Sequence, residues 1–192
     1  MAETGFLIIA DISGYTAFLT QTELDHAEDI LNTLINKLVD SMSTMFIIAK
    51  LEGDAVFAYA PKGSFKQAQT LVECVENIYC AFAQTQRDMK LNTTCTCEAC
   101  RLIPSLDLKI VLHHGQYMFS NIGGREELSG PDVILVHRLL KSTITEKAGV
   151  EAYVFFSEAC EEVVDLSSLS LSMQRHEEEY EHLGVVGGCI YN

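Results

Sequence analysis

The sequence predicts an α+β sandwich on a mixed sheet, and three observations carry that reading. Short apolar runs of strand length end in Gly- or Asp-containing turns. Two long stretches repeat apolar residues at helical spacing. The strands arrive as hairpins between those helices instead of alternating singly with them. Helices interspersed with antiparallel hairpins are expected to cover one face of the sheet.

Each element follows from local chemistry. Gly5 to Ala10 is a continuous apolar run ending at Asp11 and the turn residues Ser13-Gly14, which predicts a buried strand. From Thr22 to Met42, Leu24, Ala27, Ile30, Leu31, Leu34 and Leu38 mark a helix with one apolar face. Thr44 to Leu51 and Ala55 to Ala60 are two strands closed by Glu52-Gly53-Asp54 into a hairpin. Phe65 to Arg87 is a second amphipathic helix, with Leu71, Cys74, Val75, Ile78 and Phe82 on one side. Leu106 to His113 and Gln116 to Ile122 read as a strand pair turning at Gly115, and Gly130-Pro131 opens a third helix from Asp132 to Lys141. Val150 to Phe156 and Gly184 to Tyr191 read as the last strands. Residues 88–104 form a hydrophilic, cysteine-bearing insertion. Residues 165–181, rich in Ser and Glu, read as a mobile segment in which Glu177 to Glu179 are a solvated face.

The chain has 192 residues, 48% of them hydrophobic, which fits one domain over 1–192. Its 27 acidic residues against 13 basic ones, a formal charge of −14, exclude a nucleic-acid backbone or an anionic membrane as the expected partner. A nucleotide stays compatible, because a bound metal can hold phosphate on an acidic surface. No apolar run approaches the roughly 20 residues of a membrane span, and the start lacks the basic region of a signal peptide. Seven cysteines then read as cytosolic thiols, with Cys74, Cys80, Cys160 and Cys189 in apolar surroundings, and a cytoplasmic location is expected.

Two aspartates carry the first candidate chemistry. Asp11 ends the first strand and Asp54 sits in the first hairpin, so both project from tips that become neighbours if those strands pair. With the backbone carbonyl of Ile12, they suit one or two hard divalent ions that would also hold a triphosphate. The alternative is that each simply caps a turn or helix.

The segments Phe6-Leu-Ile-Ile-Ala-Asp11-Ile-Ser-Gly14-Tyr-Thr16, Lys50-Leu-Glu-Gly53-Asp54-Ala55, Leu108-Lys-Ile-Val-Leu-His113-His-Gly115 and Gly130-Pro-Asp-Val133-Ile-Leu-Val-His-Arg138-Leu resemble the successive motifs of class III nucleotidyl cyclase domains. The resemblance spans nearly the whole chain in the same order. It is closer still to a small group of stand-alone bacterial relatives that share the Cys-x-Cys-x-x-Cys insertion. It implies a ferredoxin-like βαββαβ core with extra C-terminal strands, paired head-to-tail in a homodimer with sites at the interface. It further implies that Asp11, Ile12 and Asp54 hold Mg²⁺ or Mn²⁺ on a nucleoside triphosphate, with ATP favoured. Lys50 and Glu127 would recognise the base, and Arg138 would be the catalytic residue that stabilises charge on the α-phosphate.

Two departures weigh against full activity. The family places an asparagine that orients the ribose four residues before the arginine, and here that residue is Ile134. The family also supplies a late triphosphate-binding lysine, whereas after Lys147 the basic side chains are Arg175, His176 and His182. His137 is a poor substitute donor, because its helix neighbour Arg138 points about 100° away. The resemblance therefore implies either a metal-dependent cyclase or an inert nucleotide- and metal-binding regulatory module on the same fold.

Cys95-Thr-Cys97-Glu-Ala-Cys100 is a separate feature. Three thiols within six residues suit a soft ion such as Zn²⁺, or else form a redox-sensitive or simply exposed loop. A closed zinc site needs a fourth ligand that spacing does not identify; His113, His114, a partner's cysteine and water are the candidates.

Overall fold

Strand β1 (Glu3–Ser13) organises the fold, because its alternate side chains feed two separate apolar layers. Phe6, Ile8, Ala10 and Ile12 enter one core, and Leu7 and Ile9 enter the other. The computed structural model describes residues 1–192. After β1 come α1 (Tyr15–Gln21), α2 (Leu24–Met42), β2 (Ile47–Glu52), β3 (Ala55–Pro61) and α3 (Ala68–Asn92). Next are α4 (Glu98–Leu102), β4 (Asp107–Ile122), β5 (Arg125–Ser129), α5 (Pro131–Leu140) and α6 (Ile144–Ala148). The chain closes with β6 (Tyr153–Ser157), α7 (Glu158–Glu161), β7 (Met173–Tyr180) and β8 (Gly184–Tyr191).

The sheet order is β2-β3-β1-β4-β6-β8-β7, with β5 paired to the far part of β4. The units β1-α2-β2-β3-α3-β4 therefore make the expected ferredoxin-like core, and β6 extends it in parallel to β4 before the antiparallel β8 and β7. Helices α2 and α3 bury Leu31, Leu34, Leu38, Leu71, Val75, Ile78 and Phe82 on the first face, as their spacing predicts. The second face is not open. Helix α5 lays Val133, Val136 and Leu139 over Leu7, Ile9 and Phe155, so the expectation of helices on one face is corrected to helices on both. Cys74 and Cys160 are buried, but Cys80 is exposed and Cys189 only half-buried.

The expected strand pair turning at Gly115 is one continuous strand. β4 runs unbroken through Gly115, which lies opposite Gly5, and its true hairpin partner is β5. Glycine is required at 115 because a Cβ there would come within about 2.5 Å of the Asp132 carboxyl. Asp132 in turn accepts from the Gln116 backbone N–H at 2.6 Å and lies 3.3 Å from His113 Nε2, mooring the first turn of α5 to β4.

The region 165–181, where no regular element is expected, carries a 3-10 turn and strand β7. Within Glu177 to Glu179 only the outer two side chains are exposed, while Glu178 is buried beside His176. Its Oε1 accepts from the Thr143 backbone N–H at 2.8 Å, from the Thr143 hydroxyl, and from His176 Nε2 at 2.8 Å; Lys147 Nζ lies at 3.7 Å. Burial alone would raise its pKa, but the Thr143 and His176 contacts outweigh burial and hold it near 2. A carboxylate depressed from 4.5 to about 2 stabilises fully above pH 4.5, and the contribution fades as pH falls through about 2. Glu178→Gln is accordingly expected to lower the urea midpoint at pH 7, with the gap to wild type narrowing steadily below pH 4.5. A gap of equal size at pH 7 and in strong acid would rule this out.

Candidate functional site

The register that builds the sheet also brings the two aspartates together. Asp11 lies between Ala55 of β3 and Lys109 of β4, and Asp54 occupies the two-residue turn that joins β2 to β3. Gly53 takes φ 68° in that turn, a conformation glycine enters freely. The Ile12 N–H donates to the Asp54 carbonyl at 3.3 Å, which locks the two tips. Burial first, and the facing Asp54 carboxylate second, push the Asp11 pKa up to about 6; burial likewise raises that of Asp54. Two half-buried carboxylates at adjacent tips are a hard oxygen donor set that could hold a divalent cation such as Mg²⁺ or Mn²⁺. Asp11 is not the N-cap of α1, which is Gly14.

A second group gathers along β2, β5 and α5. Lys50 Nζ donates to Glu127 Oε2 at 3.3 Å and lies 3.9 Å from Glu52. Glu52 was not singled out by sequence, since it reads only as a turn residue. It links Lys50 to α5 by accepting from His137 Nε2 at 2.9 Å. His137 Nδ1 is 2.7 Å from the Val133 carbonyl, so both ring nitrogens are engaged and His137 is not a free donor. Arg138 is exposed, and its guanidinium makes no ion pair, which removes the helix-surface pairing alternative. Its backbone carbonyl accepts from the Tyr180 hydroxyl at 3.1 Å, fixing the end of α5. Ile134, one turn earlier on the same outward face, is 55% exposed.

The late basic residues are differently placed. Arg175 is bound to Glu158 and Glu161, and His176 is buried against Glu178. His182 stands exposed at the β7–β8 turn.

The three loop cysteines converge, and the sulfur atoms surround His26 of α2. His113 and His114 are not part of that cluster. His113 is buried against Ser157, 2.8 Å away, and His114 packs edge-on to Phe6, so neither supplies a fourth ligand.

A family model described as Protein of unknown function (DUF2652) matches residues 31–148. An uncharacterised protein of Mycobacterium tuberculosis is 30% identical over 139 residues, or 72% of this chain, and the chain spans 62% of that protein's length. Among solved structures, the guanylyl cyclase Cya2 superposes with a TM-score of 0.73 at 16% identity, covering 99% of this chain and 92% of that one. The adenylyl cyclase CyaB from P. aeruginosa gives 0.71 at 15% identity, covering 100% and 95%. The guanylate cyclase domain of RhGC from Catenaria anguillulae, solved in complex with GTP, gives 0.67 at 16% identity, covering 100% and 98%. At these identities the likeness is one of fold. No helix of the chain is long and apolar enough to cross a membrane.

Proposed function

The chain belongs to the family described as Protein of unknown function (DUF2652) and has the fold of class III adenylyl and guanylyl cyclase domains, and on that premise we propose that it is a metal-dependent nucleotidyl cyclase-like protein acting on a nucleoside triphosphate, ATP favoured. The observation that carries the reading is the meeting of Lys50 and Glu127. They are 77 positions apart, the resemblance implies that both recognise one base, and they come within 3.3 Å. Side by side they offer one donor and one acceptor, as the edge of a purine requires.

Asp11 and Asp54, with the Ile12 carbonyl, would hold Mg²⁺ or Mn²⁺, which when bound would supply activation of the ribose 3′-hydroxyl and charge neutralisation on the pyrophosphate. Lys50 and Glu127 orient the base. Arg138, uncommitted and forked, binds the oxygens of the α-phosphate where negative charge grows during displacement. Arg138 and the aspartates are contributed by different copies of a homodimer. Exposed Ile47, Leu51, Met118, Phe119, Ile122 and Ile134, spread over β2, the β4–β5 ribbon and α5, supply an apolar surface for it.

A second reading, an inert nucleotide- and metal-binding module, is favoured by Ile134 and by the prior commitment of Arg175 and His176. Incubation with Mn²⁺ and each of the four ribonucleoside triphosphates, followed by mass spectrometry of the products, separates the two. A cyclic 3′,5′-monophosphate and pyrophosphate are expected, with ATP as the best substrate. Binding of ATP without any cyclic product would leave the module reading in its place.

A further inference from the structure

We propose that Cys95, Cys97, Cys100 and His26 form a closed structural zinc site that clamps the cysteine loop onto the start of α2. The three sulfurs lie 3.5, 3.1 and 3.7 Å from one atom, His26 Nδ1. A tetrahedral ion with Zn–S near 2.3 Å and Zn–N near 2.0–2.1 Å requires S···N separations of about 3.6 Å. All four ligand atoms lie within 4.8 Å of one another, so an ion fits with small side-chain adjustments. A disulfide needs only two of these sulfurs and no imidazole. Convergence of all three on one nitrogen favours an ion. Four protein ligands leave no open position, which makes the site structural and not hydrolytic.

The surroundings are built to hold the loop there. Glu23, one turn before His26, accepts from the backbone N–H groups of Glu98 at 3.3 Å and Ala99 at 3.1 Å, capping α4 from the same end of α2. Cys97 accepts from the Cys100 backbone N–H at 3.4 Å, the kind of contact that orients a metal-bound thiolate. At the other end of α4, Lys90 donates to the Cys100 carbonyl at 3.0 Å, and Gln86 donates to the Ile103 carbonyl at 2.8 Å. The loop then passes directly behind the metal-side turn, where the Ser105 carbonyl would lie 3.0 Å from a Cβ at Gly14.

The inference is independent of the nucleotide reading, because it is tested without turnover. Protein purified under reducing conditions without chelator is expected to carry one zinc per chain by elemental analysis. Cobalt(II) added to the reduced, metal-free protein should give the intense visible bands of tetrahedral thiolate ligation. His26 is exposed, so His26→Ala should fold normally yet hold zinc about a hundredfold more weakly or worse, and His26→Cys should restore binding. A strong chelator should speed hydrogen exchange over residues 93–105 while β1 and β3 stay protected. Reduced protein that binds neither zinc nor cobalt, a His26→Ala variant with wild-type zinc affinity, or a purified chain whose mass shows a disulfide among these cysteines with no metal would each overturn the assignment.

Discussion

Replacing both Asp11 and Asp54 by asparagine is expected to abolish divalent-dependent binding of a nucleoside triphosphate while raising the melting temperature of the metal-free protein. The two effects have one cause. Both carboxylates are partly buried, which disfavours their charged forms, and the Asp54 carboxylate further disfavours the charge on Asp11. Removing the charges relieves roughly 1–2 kcal/mol after solvent screening, and each kcal/mol is worth about 2–4 °C in a domain of this size. The pH dependence has a definite sign. Asp11 rises from 3.8 to about 6, so its ionisation penalises the folded state most above pH 6 and not at all well below 3.8. The stability gap between variant and wild type should therefore be largest near pH 7.5 and close as pH falls from about 6 towards 4. Thermal scans without metal and titration calorimetry with Mn²⁺ and ATP measure the two halves. Unchanged nucleotide binding, or a variant that melts lower than wild type at pH 7.5, would defeat the metal assignment.

Arg138→Ala is expected to cut turnover by a hundredfold to a thousandfold, the usual loss when one donor to developing charge is removed. Stability should hardly change, because the guanidinium is exposed and anchors nothing in the fold. The more telling experiment mixes chains. If Arg138 and the aspartates come from different copies, a dimer of Arg138→Ala with Asp11→Asn has one ruined site and one intact site. Random re-pairing makes about half the dimers mixed, so roughly a quarter of wild-type activity should return from two dead proteins. No recovery after denaturation and joint refolding would mean that the residues act within one chain or that no dimer forms.

The core of the fold was legible because it is written in local periodicity. The burial of α2 and α3 and the strands of the first hairpin follow from apolar spacing that survives in the structure. What escaped was set by contacts distant in sequence. Gly115 looked like a turn residue, but its missing side chain makes room for Asp132, which no short window reveals. Strand β7 was hidden because its inward positions are His176 and Glu178, polar residues that are tolerated only because Thr143 satisfies the carboxylate. Among the candidate site residues, the resemblance grouped Lys50 with Glu127, and the fold brings those two side chains within 3.3 Å. His26 was missed because it lies about 70 positions from the cysteines and carries no spacing signature of its own.

The length of β4 has a further consequence. Its pairing with β1 ends at Tyr117, and Met118 to Ile122 continue outward with β5 as their single neighbour, a projection of about 17 Å. A two-stranded ribbon has little rigidity of its own. Glu127, half of the proposed base-recognising pair, therefore stands on this two-stranded ribbon, while Lys50 stands on the edge strand β2, paired to β3. The spacing of that pair is then governed by whatever surface rests on the ribbon. On the proposed function, base preference would then depend on how two copies pack against the ribbon, and changes far from the base could adjust it.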